Sequence, residues 1–280
     1  MNLQKNLNLR CFNKMESQVH PSSIVDSTAI LQKNCKVGPY AIIEEGVILG
    51  ENCEIDAHAI IKKDTVLENN VKVGHFAVIG GDPQHLTFDP SVKSNVHICA
   101  EVRIGEGVTI HRSIYPNGVT KIGSRSFLMG YSHVAHDGDL GNEVIMANGA
   151  LLGGHVTIGD FTFIGGGAGV HQFARIGEGV MIGGLAEVSK DVPPFITISG
   201  RNQACGLNLV GMKRRGISND ESKVLKLAYR SILMKVGNPS VHAQKFLDEN
   251  KVSSNSKAIN FAEFFLTENR GFVKSKSSIH

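Results

Sequence analysis

The chain has 280 residues, enough for one large domain and an appendage. Its 29 basic and 26 acidic residues nearly cancel, which argues against a broad polyanion-binding surface and so against nucleic acid as a partner, and no apolar run approaches the ~18 residues of a membrane span. Five cysteines without a C-x-x-C pair argue for a reduced, cytoplasmic location and against a structural zinc.

Residues 1–17 follow no pattern: they are polar, carry Lys5, Arg10 and Lys14 against Glu16, and lack the apolar stretch of a secretory signal. They are expected to form a disordered extension, with Met15 a candidate initiator. From Val19 an aliphatic residue then recurs every six positions, through Val25, Leu31, Val37, Ile43, Leu49, Ile55, Ile61, Leu67, Val73 and Ile79. Glycines follow several of these (Gly38, Gly50, Gly74, Gly80), read as places where the backbone needs unusual torsion angles. The fifth position is small, as a narrow interior requires. A hexapeptide period means a parallel β-helix. Three hexads close one triangular coil, and residues eighteen apart stack at about 4.8 Å. Cys35 and Cys53, eighteen apart at fifth positions, are then core neighbours and not a disulfide.

The register breaks after Ile79. The next phased residue, Ile98, is nineteen positions on, one more than a coil, and Gly81-Asp-Pro-Gln-His-Leu-Thr-Phe-Asp-Pro-Ser between them reads as a surface loop of the kind that carries function. The phase then holds through Ile104, Ile110, Ile122 and Leu128 to Val188, interrupted by a second loop around Pro116. Consecutive prolines cannot donate to a β ladder, so Asp191-Val-Pro-Pro is expected to end the solenoid. The expected organisation is mainly β. A parallel β-helix covers 18–195, with loops near 81–97 and 113–121. An irregular connector follows over 196–216, then a small α-helical domain over 217–280. There Ser218-Asn-Asp-Glu221 is a capping box, opening a helix whose apolar face is Val224, Leu225, Ala228, Ile232 and Leu233. Asn238-Pro marks a break, and shorter helices are expected at about 240–250 and 257–269.

Chemistry is expected between Val134 and Arg175. His136, His155 and His171 follow one another at nineteen and sixteen residues, close to one coil, and should form a ladder up one side of the prism beside His133, Asp137 and Gln172. Three imidazoles could hold zinc with an open position, as in a γ-class carbonic anhydrase. Asp137, directly after His136, favours acid–base work instead, because a carboxylate beside an imidazole fixes its tautomer. Gly153-Gly154 leaves a backbone N–H as a candidate oxyanion donor. His20, His58, His75 and His97 read as structural residues.

Five ordered motifs carry a resemblance: Met129-Gly-Tyr-Ser-His-Val-Ala-His-Asp, Leu152-Gly-Gly-His-Val, Val170-His-Gln-Phe, Asp191-Val-Pro-Pro and Gly211-Met-Lys-Arg-Arg-Gly. Together they resemble the acyl-ACP:UDP-N-acetylglucosamine O-acyltransferases that open lipid A synthesis. The resemblance implies a left-handed β-helix, a homotrimer with active sites in the clefts between subunits, no cofactor and no metal. The acyl donor would be the thioester of an acyl carrier protein. It implies His136 as general base, Asp137 as its orienting partner and the Gly154 N–H as oxyanion donor. His85, His133, His155, His171, Gln172, Asn208, Arg214 and Arg215 would hold substrate, the arginines taking phosphate. Gly184 would floor the acyl groove, and glycine there leaves room for a long 3-hydroxyacyl chain. Lys213, Lys223, Lys226 and Arg230 could face the acidic carrier protein. Two departures stand out. The family's Asp-Leu-Lys after Pro83-Gln84 is His85-Leu86-Thr87 here, and a glutamate often found before Gly211 is Val210. A UDP-2,3-diamino sugar acceptor, giving an amide, is the alternative these changes leave open.

Overall fold

The computed structural model describes residues 17–250, 256–267 and 270–275, so apart from Ser17 the N-terminal extension, Met15 included, lies outside the described residues. Two-residue strands separated by four-residue corners run from Gln18 onward. Each pairs in parallel with the strand three further on: Gln18 lies beside Lys36, Ile24 beside Ile42, and Ile30 beside Ile48, the expected eighteen-residue coil. Among the described residues the strands form sheets of twelve, nine and eight, the three faces of a left-handed parallel β-helix. The phased aliphatics and the small fifth-position residues fill the interior. Val37, Ile43, Leu49, Ile55 and Ile61 are buried together with Cys35, Ala41, Val47, Cys53 and Ala59. The thiols of Cys35 and Cys53 are free and donate to the carbonyls of Gly50 and Glu68, each at 3.1 Å.

The hexad glycines work differently from the expectation. Left-handed torsion angles fall mainly at the fourth hexad position, on Asn34, Tyr40, Asn52, His58 and Asp64 among others, whereas of Gly38, Gly50, Gly74 and Gly80 only Gly80 has a positive φ. The others are glycine because the next coil passes too close: a Cβ on Gly50 would come within 2.6 Å of the Glu68 carbonyl carbon, and one on Gly38 within 2.9 Å of the Ala57 nitrogen.

The first loop is longer than the count of one extra residue suggested. Ile79 and Ile98 lie on neighbouring faces and do not stack. Ile98 pairs with Leu67 and Ile79 with Ile110, partners thirty-one residues apart rather than eighteen. The second loop adds six, since Ile98 pairs with Ile122.

The prolines do not end the solenoid either. Val192 still bridges Ile176, and Ile196–Ser199 adds in parallel to Met181–Ile182. Pro193 takes the corner place whose N–H elsewhere donates to the coil above, as Gly177 N donates to Val192 O. The eight-stranded sheet has no further rung there, so no donor is missed. The expected connector therefore contains structure: the strand Ile196–Ser199, an antiparallel partner Gln203–Leu207, and helix α1 over Leu209–Arg214. Three more helices follow, α2 (Asn219–Ile232), α3 (Pro239–Glu249) and α4 (Lys257–Glu263). Ser218 caps α2 through the Glu221 N–H, and Asn238 caps α3. Helix α4 stops six residues short of the expected 269. Phe264 caps it, and Phe264, Phe265 and Phe272 then pack together as the chain turns back. The C-terminal part is not purely helical, because Lys274–Ser275 adds to the strand Gln203–Leu207.

Candidate functional site

After each strand of the nine-stranded sheet the chain turns one corner of the prism. The four corner places are filled by Ile110-His111-Arg112-Ser113, then Val134-Ala135-His136-Asp137, Leu152-Gly153-Gly154-His155 and Val170-His171-Gln172-Phe173 on successive coils. His136, His155 and His171 therefore do share a corner, but they occupy its third, fourth and second places. The columns that stack are Arg112–His136–Gly154–Gln172 and Ser113–Asp137–His155–Phe173. The expected ladder of rings is a staircase, because spacings of nineteen and sixteen each miss the coil's period.

The staircase brings His136 against Asp137. His136 Nδ1 lies 2.8 Å from Asp137 Oδ2, and both side chains are nearly buried, 13% and 12% exposed. The carboxylate also accepts from Ser113 Oγ and, at 3.2 Å, from the Ile114 N–H. These contacts fix its place, so the imidazole that donates to it from Nδ1 keeps the lone pair of a base on Nε2. Directly above the ring lies Gly154. A Cβ there would sit 2.6 Å from His136 Cε1 and 2.8 Å from Nε2, so only glycine leaves the ring its place. Among the described residues the Gly154 N–H has no hydrogen-bond partner, which leaves it available as a donor.

Around this pair the other rings interlock. His155 packs edge-on to His136 at 5.0 Å and stacks on Phe173 at 4.4 Å, with its Nδ1 4.0 Å from Asp137. His111, which sequence reasoning missed, is buried and meets His133 edge-on at 4.8 Å, while His133 Nδ1 shares a 2.7 Å hydrogen bond with Thr109. Burial, with the charges of His133 and His136, pulls His111 down to about 4. Burial likewise lowers His133, and lowers His155 against the pull of Asp137. These neighbours are thus neutral around neutral pH.

The first loop lies beside the staircase and places the His85 ring edge-on to His136 at 6.3 Å. What holds the loop is Arg112, 1% exposed, also unrecognised in the sequence. Its Nε donates to Asp82 Oδ1 at 2.8 Å and one terminal nitrogen to the Pro90 carbonyl at 3.0 Å. The other bonds the Val92 carbonyl and Ser94 Oγ, and the guanidinium lies over the Phe88 ring. A lone arginine in a hexad offers no sequence signal for this, since its acceptors, a carboxylate, a hydroxyl and two carbonyls, all belong to the loop.

Gln84, His111, His133, His136, Gly154, His171 and Gln172 line one groove of about 660 Å³. Asn208, Arg214 and Arg215 do not reach it. They line a second cavity of about 1020 Å³ on the outer face of the twelve-stranded sheet, over Phe127, Ile145, Phe163 and Met181. Asn208 is used structurally as well, capping α1 through the Gly211 N–H and donating to the Gly179 carbonyl, each at 2.9 Å. Arg215 lies over the Phe161 ring at 4.8 Å. Gly184 lines neither cavity; it sits exposed at the corner between the twelve- and nine-stranded sheets, where a Cβ would meet only the Gly166 carbonyl at 3.4 Å. Among the described residues the histidine ladder makes no three-histidine metal arrangement: at this corner the ligand atoms within 4.8 Å of one another are those of His136, Asp137 and His155, and His171 is not among them.

A family model described as UDP N-acetylglucosamine O-acyltransferase, domain 2, matches residues 191–273, and one for the bacterial transferase hexapeptide matches 28–63 and 46–81. An acyl-[acyl-carrier-protein]--UDP-N-acetylglucosamine O-acyltransferase of Gloeothece citriformis is 39% identical over 155 residues, 55% of this chain, and the match spans 56% of the length of that curated relative. The UDP-N-acetylglucosamine acyltransferase of Campylobacter jejuni superposes with a TM-score of 0.84 at 35% identity, over 92% of this chain and 99% of that one. The one from Bacteroides fragilis 9343 gives 0.86 at 32%, over 92% and 100%. Alike in sequence and fold over nearly the whole length of both structures, the chain belongs to the UDP-N-acetylglucosamine O-acyltransferase family.

Proposed function

We propose that the groove transfers a 3-hydroxyacyl chain from acyl carrier protein to the 3-hydroxyl of UDP-N-acetylglucosamine, the first step of lipid A biosynthesis. The observation that carries this reading is the His136–Asp137 pair, a fixed, nearly buried base with an unpaired backbone donor directly above it. His136 Nε2 takes the proton of the sugar hydroxyl as its oxygen attacks the thioester carbonyl. The Gly154 N–H holds the oxyanion. When the carbon–sulfur bond breaks, the imidazolium returns the proton to the leaving thiolate. The thioester supplies the acyl group, so the step needs no cofactor. His85, His133, His155, His171 and Gln172 position the substrates. Gly184 gives the acyl chain room at its corner.

The arginine cavity and the groove lie on different faces of one prism. A homotrimer joins them in this reading, with Asn208, Arg214 and Arg215 of one subunit completing the groove of the next and the arginines holding phosphate. Exposed Lys213, Lys223, Lys226 and Arg230 suit an acidic carrier protein. A cytoplasmic location goes with the reading, supported by the four cysteines of the described residues, which are free thiols; no helix among the described residues is long and apolar enough to cross a membrane.

The test is acyl transfer to UDP-N-acetylglucosamine and to its 3-amino analogue. His136→Ala should lower kcat by about 10²–10⁴-fold while the fold persists. Mixing that variant with Arg214→Ala should restore part of the activity if sites are shared between subunits. Transfer that survives His136→Ala would overturn the assignment of the base, and transfer to the amino analogue alone would overturn the acceptor.

A further inference from the structure

A second cluster lies on another corner, the one that follows the eight-stranded sheet. Its second places form a column: Gln32, Gly50, Glu68, Cys99, Gly123, Gly141, Gly159 and Gly177. Crowding accounts for the glycines, since a Cβ on Gly123 would meet the Gly141 carbonyl oxygen at 2.3 Å. Yet two consecutive coils place Glu68 and Cys99 here. Their separation of thirty-one positions conceals the contact in the sequence. His97, read there as structural, lies beside them on the strand, with Nε2 2.8 Å from Glu68 Oε1. The other oxygen of Glu68 accepts from the Ala100 N–H at 2.9 Å. Cys99 is 9% exposed. One ligand atom from each of Glu68, His97 and Cys99 lies within 4.8 Å of the other two.

We propose that Glu68, His97 and Cys99 bind a divalent transition metal of the zinc type, separate from the groove. A borderline-soft ion accepts thiolate, imidazole and carboxylate together, whereas calcium or magnesium would call for oxygen ligands alone. Zinc bond lengths place tetrahedral ligand atoms about 3.3–3.6 Å apart, within reach of these side chains after small rotations. His97 Nε2 exchanges Glu68 for the metal, and the Cys99 thiol gives up its proton to solvent as the metal takes its place. Water fills the fourth position. Lys121, beside His97 on the next coil, opposes the cation, and Asp139, its own neighbour one coil further, offsets it. The metal would tie the coil before the long loop to the coil after it, where the chain's own connection is an excursion. Binding is then expected to raise thermal stability with the logarithm of one plus metal concentration over Kd.

The whole chain, stripped of metal and titrated with cobalt(II) as a spectroscopic probe, tests this. One equivalent should bind with a near-ultraviolet sulfur-to-cobalt charge-transfer band that zinc displaces. Cys99→Ser should lose the band, and His97→Gln should weaken binding by at least about 10–100-fold. Cys99→Gly, which installs the residue found at five positions of the column, guards against a folding defect and should lose the band as well. His136→Ala and Cys205→Ser should keep it. No charge-transfer band at saturating cobalt, or a band that survives both substitutions of Cys99, overturns the proposal.

Discussion

One corner of the prism carries two different surfaces. Before the long loop, the corner after the nine-stranded sheet reads Asp26-Ser27-Thr28, Glu44-Glu45-Gly46 and Lys62-Lys63-Asp64. Its charges are largely in water, and Lys62 pairs with Glu44 one coil below at 2.5 Å. After the loop, the same corner holds the histidine staircase. The backbone does not distinguish them: Asp64 and Asp137 occupy the same corner place with the same φ of 59°. Their surroundings do. Asp64 is exposed, whereas Asp137 is nearly buried and engaged by Ser113, Ile114 and His136. The repeat supplies a position; the side chains stacked above and below it, and the loop that Arg112 holds beside it, supply the chemistry.

The strongest way to break this comparison is to make the same substitution at both aspartates. Asp137→Asn should lower kcat/KM by about 10²–10⁴-fold, because the amide cannot hold the Nδ1-protonated tautomer or stabilise the imidazolium. Asp64→Asn should leave activity unchanged and shift stability by no more than about 0.5 kcal/mol. Comparable losses at both positions would mean that the corner acts through its backbone and not through the His136 pair.

A smaller effect is expected one coil higher. Gly154→Ala places a methyl group where the His136 ring lies, so the ring must shift, and a displacement of about 1 Å is worth roughly 10²-fold in rate. The fold should survive, since Gly154 has no left-handed φ and the same corner column carries Glu45 and Lys63 before the loop. Full-rate transfer by a folded Gly154→Ala protein would refute the contact as a determinant of His136's position.

How much of this was legible in the sequence follows the same division. The hexads of Val37, Ile43 and Leu49 fix sheet, coil and core, because each residue answers to one local rule. His136 and Asp137 were legible because they are adjacent. The order of the other histidines was not, since nineteen and sixteen residues both approximate eighteen but put rings in different columns. Arg112 and His111 stayed hidden because their roles depend on a loop whose path no period describes. The solenoid's end was misplaced because a proline breaks a ladder only where a rung follows it. Pro193 lies where none does. The Glu68–Cys99 contact was hidden by the same loop, which adds thirteen residues to the usual spacing.

The mildest contrast between the two surfaces is in their response to acid. Before the loop the corner holds no histidine. After it, His111 is held down to about 4 by burial and by His133 and His136, with Asp82 pulling the other way. Above about pH 6.5 neither the folded nor the unfolded form protonates it, and its contribution to stability is fully present. As pH falls from there towards 4, the unfolded chain takes up a proton that the native chain refuses, and stability is lost; below 4 the loss levels off. His133 and His155 are shifted in the same direction and steepen the same window. Urea midpoints should therefore fall between pH 7 and pH 5, and His111→Gln, which cannot titrate, should flatten that slope even if it lowers stability at every pH. The slope is the informative quantity, because a packing defect displaces the whole curve whereas only a lost proton-binding difference changes its gradient. A variant with the wild-type gradient would show that His111 is protonated as readily in the native protein as in the unfolded chain.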